Sequence, residues 1–257
     1  MYVYNLIIKS YNIHRKIRGV PMQKIMSLTR RAVQEYNMIS DSDVIAVGLS
    51  GGKDSSALLY TLSKMRSFYP VKFDVKAVHI DLRFSGADTD VTELKRLCNE
   101  LGVEFYVKRT DIGRIVFSER KEKNPCSLCS RMRRAALIEE AKRLGCTRIA
   151  LGHHEDDAVE TFMMNLLNGG RIGCFSPVTY LEDKDMYLIR PLIFCPQSLI
   201  TGEVRKSGLP VVKSKCPADG VGERKQMREL ITELNRGYPK LREKIIGAMQ
   251  RGSVDNW

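Results

Sequence analysis

The chain of 257 residues predicts an α/β fold: a doubly wound, parallel five-stranded sheet with extra N- and C-terminal helices. Three observations carry that prediction. Short apolar runs recur between segments of helical periodicity. The first run, Val44 to Val47, leads straight into a glycine-centred loop, and a later run ends the same way at Gly152. Nearly continuous apolar strands separated by helices are what a sheet covered on both faces requires.

Residues 22–40 read as a leading helix that stops before Asp41 and Asp43. A buried strand follows over 44–49, then a loop at 50–55 whose end overlaps a helix over 54–65. The alternation continues with a strand at 73–80, a helix at 88–101 and a strand at 103–107. It resumes with a helix at 127–144, a strand at 148–151, a helix at 156–167, a strand at 187–190 and a helix at 197–206. Residues 220–257 read as two basic helices, the second opened by Pro239 at its first turn. The expected organisation is a basic arm over 1–21, one α/β domain over 22–215 and a basic helical extension over 216–257. Right-handed crossovers put every loop that follows a strand on one edge, so 50–55, 81–86 and 152–157 should meet in one crevice.

Charge narrows the partners. The net charge is +12, and seven Lys and Arg precede the first acidic residue, Glu35. A charge this large and this uneven predicts a polyanionic partner, with a nucleic acid the expected one. No run of eighteen apolar residues occurs, which predicts a cytoplasmic chain with no membrane-spanning helix. Seven cysteines in such a chain argue for metal or catalysis rather than a disulfide framework.

The loop Ser50, Gly51, Gly52, Lys53, Asp54, Ser55 reads as a phosphate cradle. Its glycines admit φ > 0 and close backbone approach, its serines add hydroxyl donors, and the next helix points its positive end at the same anion. It is not a Walker A loop, because Val47 occupies the place of that motif's first glycine and Asp54 follows the lysine.

Two further clusters carry chemistry. Gly152 is followed by His153, His154, Glu155, Asp156 and Asp157, a crowding of imidazoles and carboxylates that is costly without a cation or a proton. Zinc on His153, His154 and Asp157 is one reading, weakened because successive residues point in different directions; Asp156 and Glu160 read equally well as helix-capping and solvating groups. The second cluster is Cys126 and Cys129, three apart at a helix start, with Arg131, Arg133 and Arg134 favouring thiolates. A four-cysteine zinc site would need another closely spaced pair, which the sequence lacks. Cys216, in a Pro- and Gly-containing loop before a basic helix, is the expected third thiolate, with Cys174 a weaker rival. A [4Fe-4S] cluster on Cys126, Cys129 and Cys216 would leave one iron open. Cys98 and Cys146 read as inert, and His79 alone reads as a packed strand-end histidine.

The loop Ser50 to Ser55 resembles the signature of the PP-loop ATP pyrophosphatases. Glu35 to Ile39, Cys126 to Arg134, Ile189 to Leu192, Arg236 to Pro239 and Ala248 to Gln250 bring the resemblance close to the tRNA 2-thiocytidine biosynthesis family, over about residues 23–251. The resemblance implies an adenine nucleotide α-hydrolase-like fold and an ATP site on Ser50, Gly51, Gly52, Lys53, Asp54, Ser55, His79, Ile80, Gly152 and His153. It further implies Mg²⁺ on Asp54, catalytic roles for Lys53, Asp54 and Asp157, with Asp157 facing the base or the metal, and RNA contacts at Arg131, Arg133 and Arg134. The partners implied are tRNA and a sulfur donor such as a cysteine desulfurase, with a homodimer left open. The chain departs from the family in having one cysteine near position 216 where many relatives have two, and in carrying Cys174. Arg133 sets it apart from the related 2-thiouridine branch, which tends to carry lysine there. A lysidine synthetase-like ligase, a 2-thiouridine synthetase and a non-catalytic nucleotide- or cluster-sensing RNA-binding protein remain as alternatives.

Overall fold

β1 (Asp43–Gly48) alternates its side chains between two cores: Ile45 and Val47 pack on one face of the sheet and Ala46 on the other. β2 (Phe73–Asp81) repeats the pattern, with Val75 and Ala77 on the first face and Val78 and Ile80 on the second. With β3 (Glu104–Arg109), β4 (Arg148–Ala150), β5 (Val178–Leu181) and β6 (Met186–Ile189), they form one sheet of order β3-β2-β1-β4-β6-β5. The computed structural model describes residues 22–120, 125–213, 215–218 and 222–257. The arm expected over 1–21 lies outside the described residues.

The helices are α1 (Gln23–Glu35), α2 (Lys53–Met65), α3 (Thr92–Glu100), α4 (Pro125–Arg143), α5 (Glu155–Leu167), α6 (Gln197–Ser207), α7 (Glu223–Gly237) and α8 (Leu241–Arg251). α2 is buried over nearly its whole length because it lies between the sheet and α6. α4 covers the opposite face, where Leu137 and Ala141 meet Val78, Ile149 and Leu188.

Five of the six strands are those expected; the sheet has a sixth, and it is antiparallel. β5 is four residues long and half-exposed, so it offers no buried apolar run to read. It is held by a hairpin in which Asp185 takes φ +48° and Tyr180 meets Tyr187 with ring centroids 4.8 Å apart. α3 begins at Thr92 rather than at 88, because Asp81 accepts the Thr89 N–H at 3.0 Å and its hydroxyl at 2.8 Å and pins those residues as loop. α1 ends early: Asn37 adopts φ +47° and the Met38 N–H returns to the Val33 carbonyl at 3.0 Å. Pro239 does not open the last helix, which starts at Leu241 after Lys240 at φ +60°. A helical turn over 112–119 was not foreseen.

The two helices after residue 222 are fastened by charge. Glu160 on α5, 2% exposed, accepts from Arg228 Nε at 2.7 Å, and Asp156 accepts from Arg242 Nε at 2.7 Å and from the Gln197 N–H at 2.7 Å. Removing Arg228 would strand a buried carboxylate. Arg228→Met should therefore destabilise the protein by about 1–3 kcal/mol in urea unfolding at pH 7, and Glu160→Gln added to it should recover part of the loss.

Candidate active site

The carboxyl ends of the strands open into a cavity of about 600 Å³. The end of β1 and its loop supply Gly48, Leu49, Ser50, Gly52, Asp54 and Ser55; the end of β2 supplies Val78, His79 and Ile80; the loop after β4 supplies Leu151, Gly152 and His153. β1 and β4 are neighbours from which the chain winds in opposite directions, so the cavity sits at the reversal point of the sheet.

Within the loop after β1, Gly51 has φ +87° and its carbonyl accepts the Val212 N–H at 2.9 Å. Ser50 and Ser55 hydroxyl oxygens lie 3.0 Å apart, Ser55 donates to the Gly52 carbonyl at 2.9 Å, and the Gly52 N–H donates to Ser50 Oγ at 3.3 Å. The serines thus brace the turn that aims the α2 N-terminus into the cavity. Lys53 folds onto Asp54, with Nζ 2.8 and 2.9 Å from the two carboxylate oxygens, and its side chain does not line the cavity, whereas Asp54 does. Opposite, a Cβ on Gly152 would stand 3.2 Å from the Asp54 carbonyl carbon and from Ser55 N, so any side chain here would press the phosphate loop aside by a few tenths of an ångström.

His79 is buried, and its Nδ1 lies 2.8 Å from the Leu49 carbonyl. A carbonyl only accepts, so Nδ1 donates and Nε2, which has no partner, is a bare acceptor in the cavity wall. The His153 ring stacks on Phe175 at 5.0 Å, and desolvation together with Arg190 lowers its pKa to about 4. His153 is therefore neutral across the physiological range.

His154 and Asp157 are occupied elsewhere. His154 caps α5: its Nδ1 accepts the Asp157 N–H at 3.3 Å, while Asp157 Oδ2 accepts the His154 N–H at 3.0 Å. Asp157 Oδ1 stands 3.5 Å from Arg224, and Asp157 does not line the cavity. The geometry gives Asp157 a capping place rather than the one facing a substrate base, and the zinc set of His153, His154 and Asp157 is not assembled.

Cys129 and Cys216 both line the cavity, and Cys126 is exposed on the first turn of α4. Burial pushes the Cys129 thiol up, Arg133 opposes that, and Cys216 and Cys126 push it further, which makes the three sulfurs electrostatic neighbours. Among the described residues no three His, Cys, Asp or Glu side chains already stand at metal-binding spacing. Cys174 lies apart from this group: its thiol donates to the Ala158 carbonyl at 3.4 Å and burial takes its pKa to about 12. Cys98 and Cys146 are buried, with pKa values of about 12 and about 11.

Arg133 and Arg134 line the cavity; Arg131, two residues before Arg133 on the helix, is exposed outside it. Arg190, Phe175, Lys213 and Lys215 also line it and were not singled out in the sequence. Arg190 had a signal, since it ends the strand at 187–190 on the edge where such loops converge. The two lysines had none.

Fold, strand reversal and phosphate loop together define a PP-loop nucleotide-binding protein, and residues 24–234 match the PP-loop domain family. The tRNA-cytidine(32) 2-sulfurtransferase of Syntrophotalea carbinolica (strain DSM 2380 / NBRC 103641 / GraBd1) is 35% identical over 230 residues, covering 88% of this chain and 88% of the relative. That of Dechloromonas aromatica (strain RCB) is 37% identical over 224 residues, covering 86% and 77%. The chain belongs to this family of PP-loop sulfurtransferases. Among solved structures, the U34-tRNA thiolase NcsA from Methanococcus maripaludis with its [4Fe-4S] cluster has a TM-score of 0.73 at 24% identity, over 88% of this chain and 78% of that one, a likeness of fold. No helix among the described residues is long and apolar enough to cross a membrane.

Glu155, the first residue of α5, is buried beside this site, and burial together with Asp156 and Glu243 outweighs Arg242 to raise its pKa to about 7. The folded state thus holds a proton that the unfolded state, with a value of 4.5, has lost. Stability conferred by that proton is present below pH 4.5 and declines as pH rises to about 7. Glu155→Gln should flatten this slope and stabilise the protein by about 1–3 kcal/mol at pH 8, read from thermal unfolding across pH. Gly152→Ala should weaken ATP binding by at least about tenfold in titration calorimetry, because the methyl group displaces the phosphate loop.

Proposed function

We propose that this chain binds ATP in the cavity, activates C2 of a cytidine in tRNA and replaces its oxygen with sulfur, at position 32 as its relatives' names specify. The observation that supports this most is that one cavity gathers a braced phosphate loop, Cys129, Cys216 and the cations Arg133, Arg134, Lys213 and Lys215. The cytidine C2 carbonyl is a poor electrophile. Its oxygen attacks the α-phosphorus of ATP, the bond to the β-phosphate oxygen breaks, and pyrophosphate leaves with that electron pair. Sulfide then attacks C2 and AMP departs with the original oxygen.

Ser50, Gly51, Gly52 and Ser55 cradle the departing phosphates with backbone N–H groups and hydroxyls, and Lys53 is close enough to swing from Asp54 to them. Asp54, released from Lys53, is the carboxylate placed to hold Mg²⁺. His79 Nε2, a bare acceptor, suits the exocyclic amine of adenine, with Ile80 against its ring. Gly152 and His153 close the other side. The donor set of three thiols with Arg133 beside them fits an iron-sulfur cluster, held by Cys126, Cys129 and Cys216. When bound, such a cluster supplies an iron with an open position for the incoming sulfide. A cysteine desulfurase is the class of donor that would provide that sulfur. Arg131 on the outer face, with Arg133 and Arg134 at the cavity mouth, would hold backbone phosphates of a base drawn out of its stack.

A lysidine synthetase-like ligase would share the phosphate loop and have no use for the thiols. Anaerobically purified protein should contain iron and acid-labile sulfide and convert tRNA cytidine to 2-thiocytidine, scored by nucleoside mass spectrometry. Cys216→Ser and Cys126→Ser should lose both the iron and the product while still binding ATP. Protein that forms no 2-thiocytidine but joins lysine to the tRNA cytidine, equally well in those variants, would transfer the reading to the ligase class.

A further inference from the structure

Arg190 carries a charge that the fold does not balance. It is 5% exposed, and its hydrogen bonds go to neutral groups: Nη1 donates to the Ser176 carbonyl at 2.5 Å and to Thr179 Oγ1 at 3.1 Å, while Nε has no partner. Arg134 stands near enough to oppose its charge further, and burial draws its pKa down to about 10. A buried guanidinium without a carboxylate is costly to keep, and this one lines the cavity.

The surroundings fix where it points. Its guanidinium lies 5.0 Å over the Phe175 ring, which also meets the neutral His153 with Nδ1 buried and unpartnered. Phe175 is itself held in place: Trp257 Nε1 donates to its carbonyl at 2.8 Å, and Asp255 Oδ2 accepts the Cys174 N–H at 2.7 Å. His153 follows Gly152, the residue in contact with the phosphate loop. The result is a rigid cationic subsite beside that loop.

We propose that Arg190, seconded by His153, grips the α-phosphate of the bound nucleotide, leaving the loop over 50–55 to hold the pyrophosphate half. The proposal rests on the reading of the cavity as an ATP site. As the cytidine oxygen adds to the α-phosphorus and the pyrophosphate oxygen leaves, negative charge collects on the non-bridging oxygens that Arg190 faces, and the same contact retains AMP until sulfide displaces it. A phosphate ester of the tRNA backbone has the same chemistry; the nucleotide is favoured because the subsite adjoins the phosphate loop.

Titration calorimetry with α,β-methylene-ATP, with pyrophosphate and with unmodified tRNA separates the cases. Arg190→Gln should weaken the analogue by at least about tenfold and leave pyrophosphate and tRNA within about twofold. Thr179→Val, which removes only the hydroxyl that orients the guanidinium, should weaken the analogue by about threefold, and it decides the matter should the first variant not melt cooperatively. Unchanged analogue affinity in these variants, or equal weakening of analogue and pyrophosphate, overturns the proposal and leaves the ATP reading standing. Weakening of tRNA alone reassigns the subsite to the RNA backbone and overturns it as well. Wild-type protein that binds neither analogue nor pyrophosphate refutes the ATP reading itself.

Discussion

Gly152 must pass within contact distance of the peptide joining Asp54 to Ser55, and the strand arrangement around it serves that approach. The two loops meet only if β1 and β4 are adjacent and in the observed register, with Ala46 opposite Ile149. At the far ends of the same strands the register is pinned by a network around a buried ion pair. Asp43 pairs with Arg148, Thr147 Oγ1 donates to Asp43 Oδ1 at 2.7 Å, and Arg148 Nη2 donates to Ser40 Oγ at 2.8 Å. Burying a charge pair adds little net stability, but its satisfied hydrogen bonds penalise any slip, and a slip of one residue would turn Ile45 and Val47 out of their core. The polar network at one end of the strands therefore sets the backbone contact at the other.

Charge is distributed with the same economy. The excess of Lys and Arg suggested a chain able to grip a polyanion over a broad area, yet Arg224, Arg228 and Arg242 are committed to the α5 carboxylates and serve as fasteners for the last two helices. Around the cavity the balance differs: among the described residues Arg133, Arg134, Arg190, Lys213 and Lys215 face Asp54 as the one lining carboxylate. Field lines concentrate in a concave, low-dielectric site, so these five cations weigh more on an entering phosphate than the same number spread over a convex surface. The acidic crowd after Gly152 belongs to this division, since it anchors helices and caps its own.

Much of the fold was legible because parallel strands buried on both faces leave long apolar runs, and the phosphate loop was legible because its geometry restricts residue type at successive positions. β5 was not, since a short half-exposed edge strand is set by a hairpin and a tyrosine pair rather than by burial. In the site, Ser50, Gly52, Asp54, Ser55, His79, Ile80, Gly152 and His153 line the cavity wall. Asp157 does not, because a capping box between His154 and the third helical residue satisfies the same residue types that a metal site would use. Lys213 and Lys215 reach the cavity through a loop docked on Gly51, and no periodic pattern announces a tertiary contact of that kind. Phe175 and Trp257 were unreadable for the same reason, being joined across 82 residues by a hydrogen bond and a ring contact.

That last contact bears on how the molecule is made. A ribosome delivers the phosphate loop, the cysteine pair and both histidine-bearing strand ends long before it delivers Asp255 and Trp257. Until those residues emerge, the wall formed by Phe175 and His153 lacks the indole and the carboxylate that anchor it, and α5 lacks the arginines of α7 and α8. A nascent chain therefore presents the phosphate loop and the cysteine pair before the wall beside them is anchored.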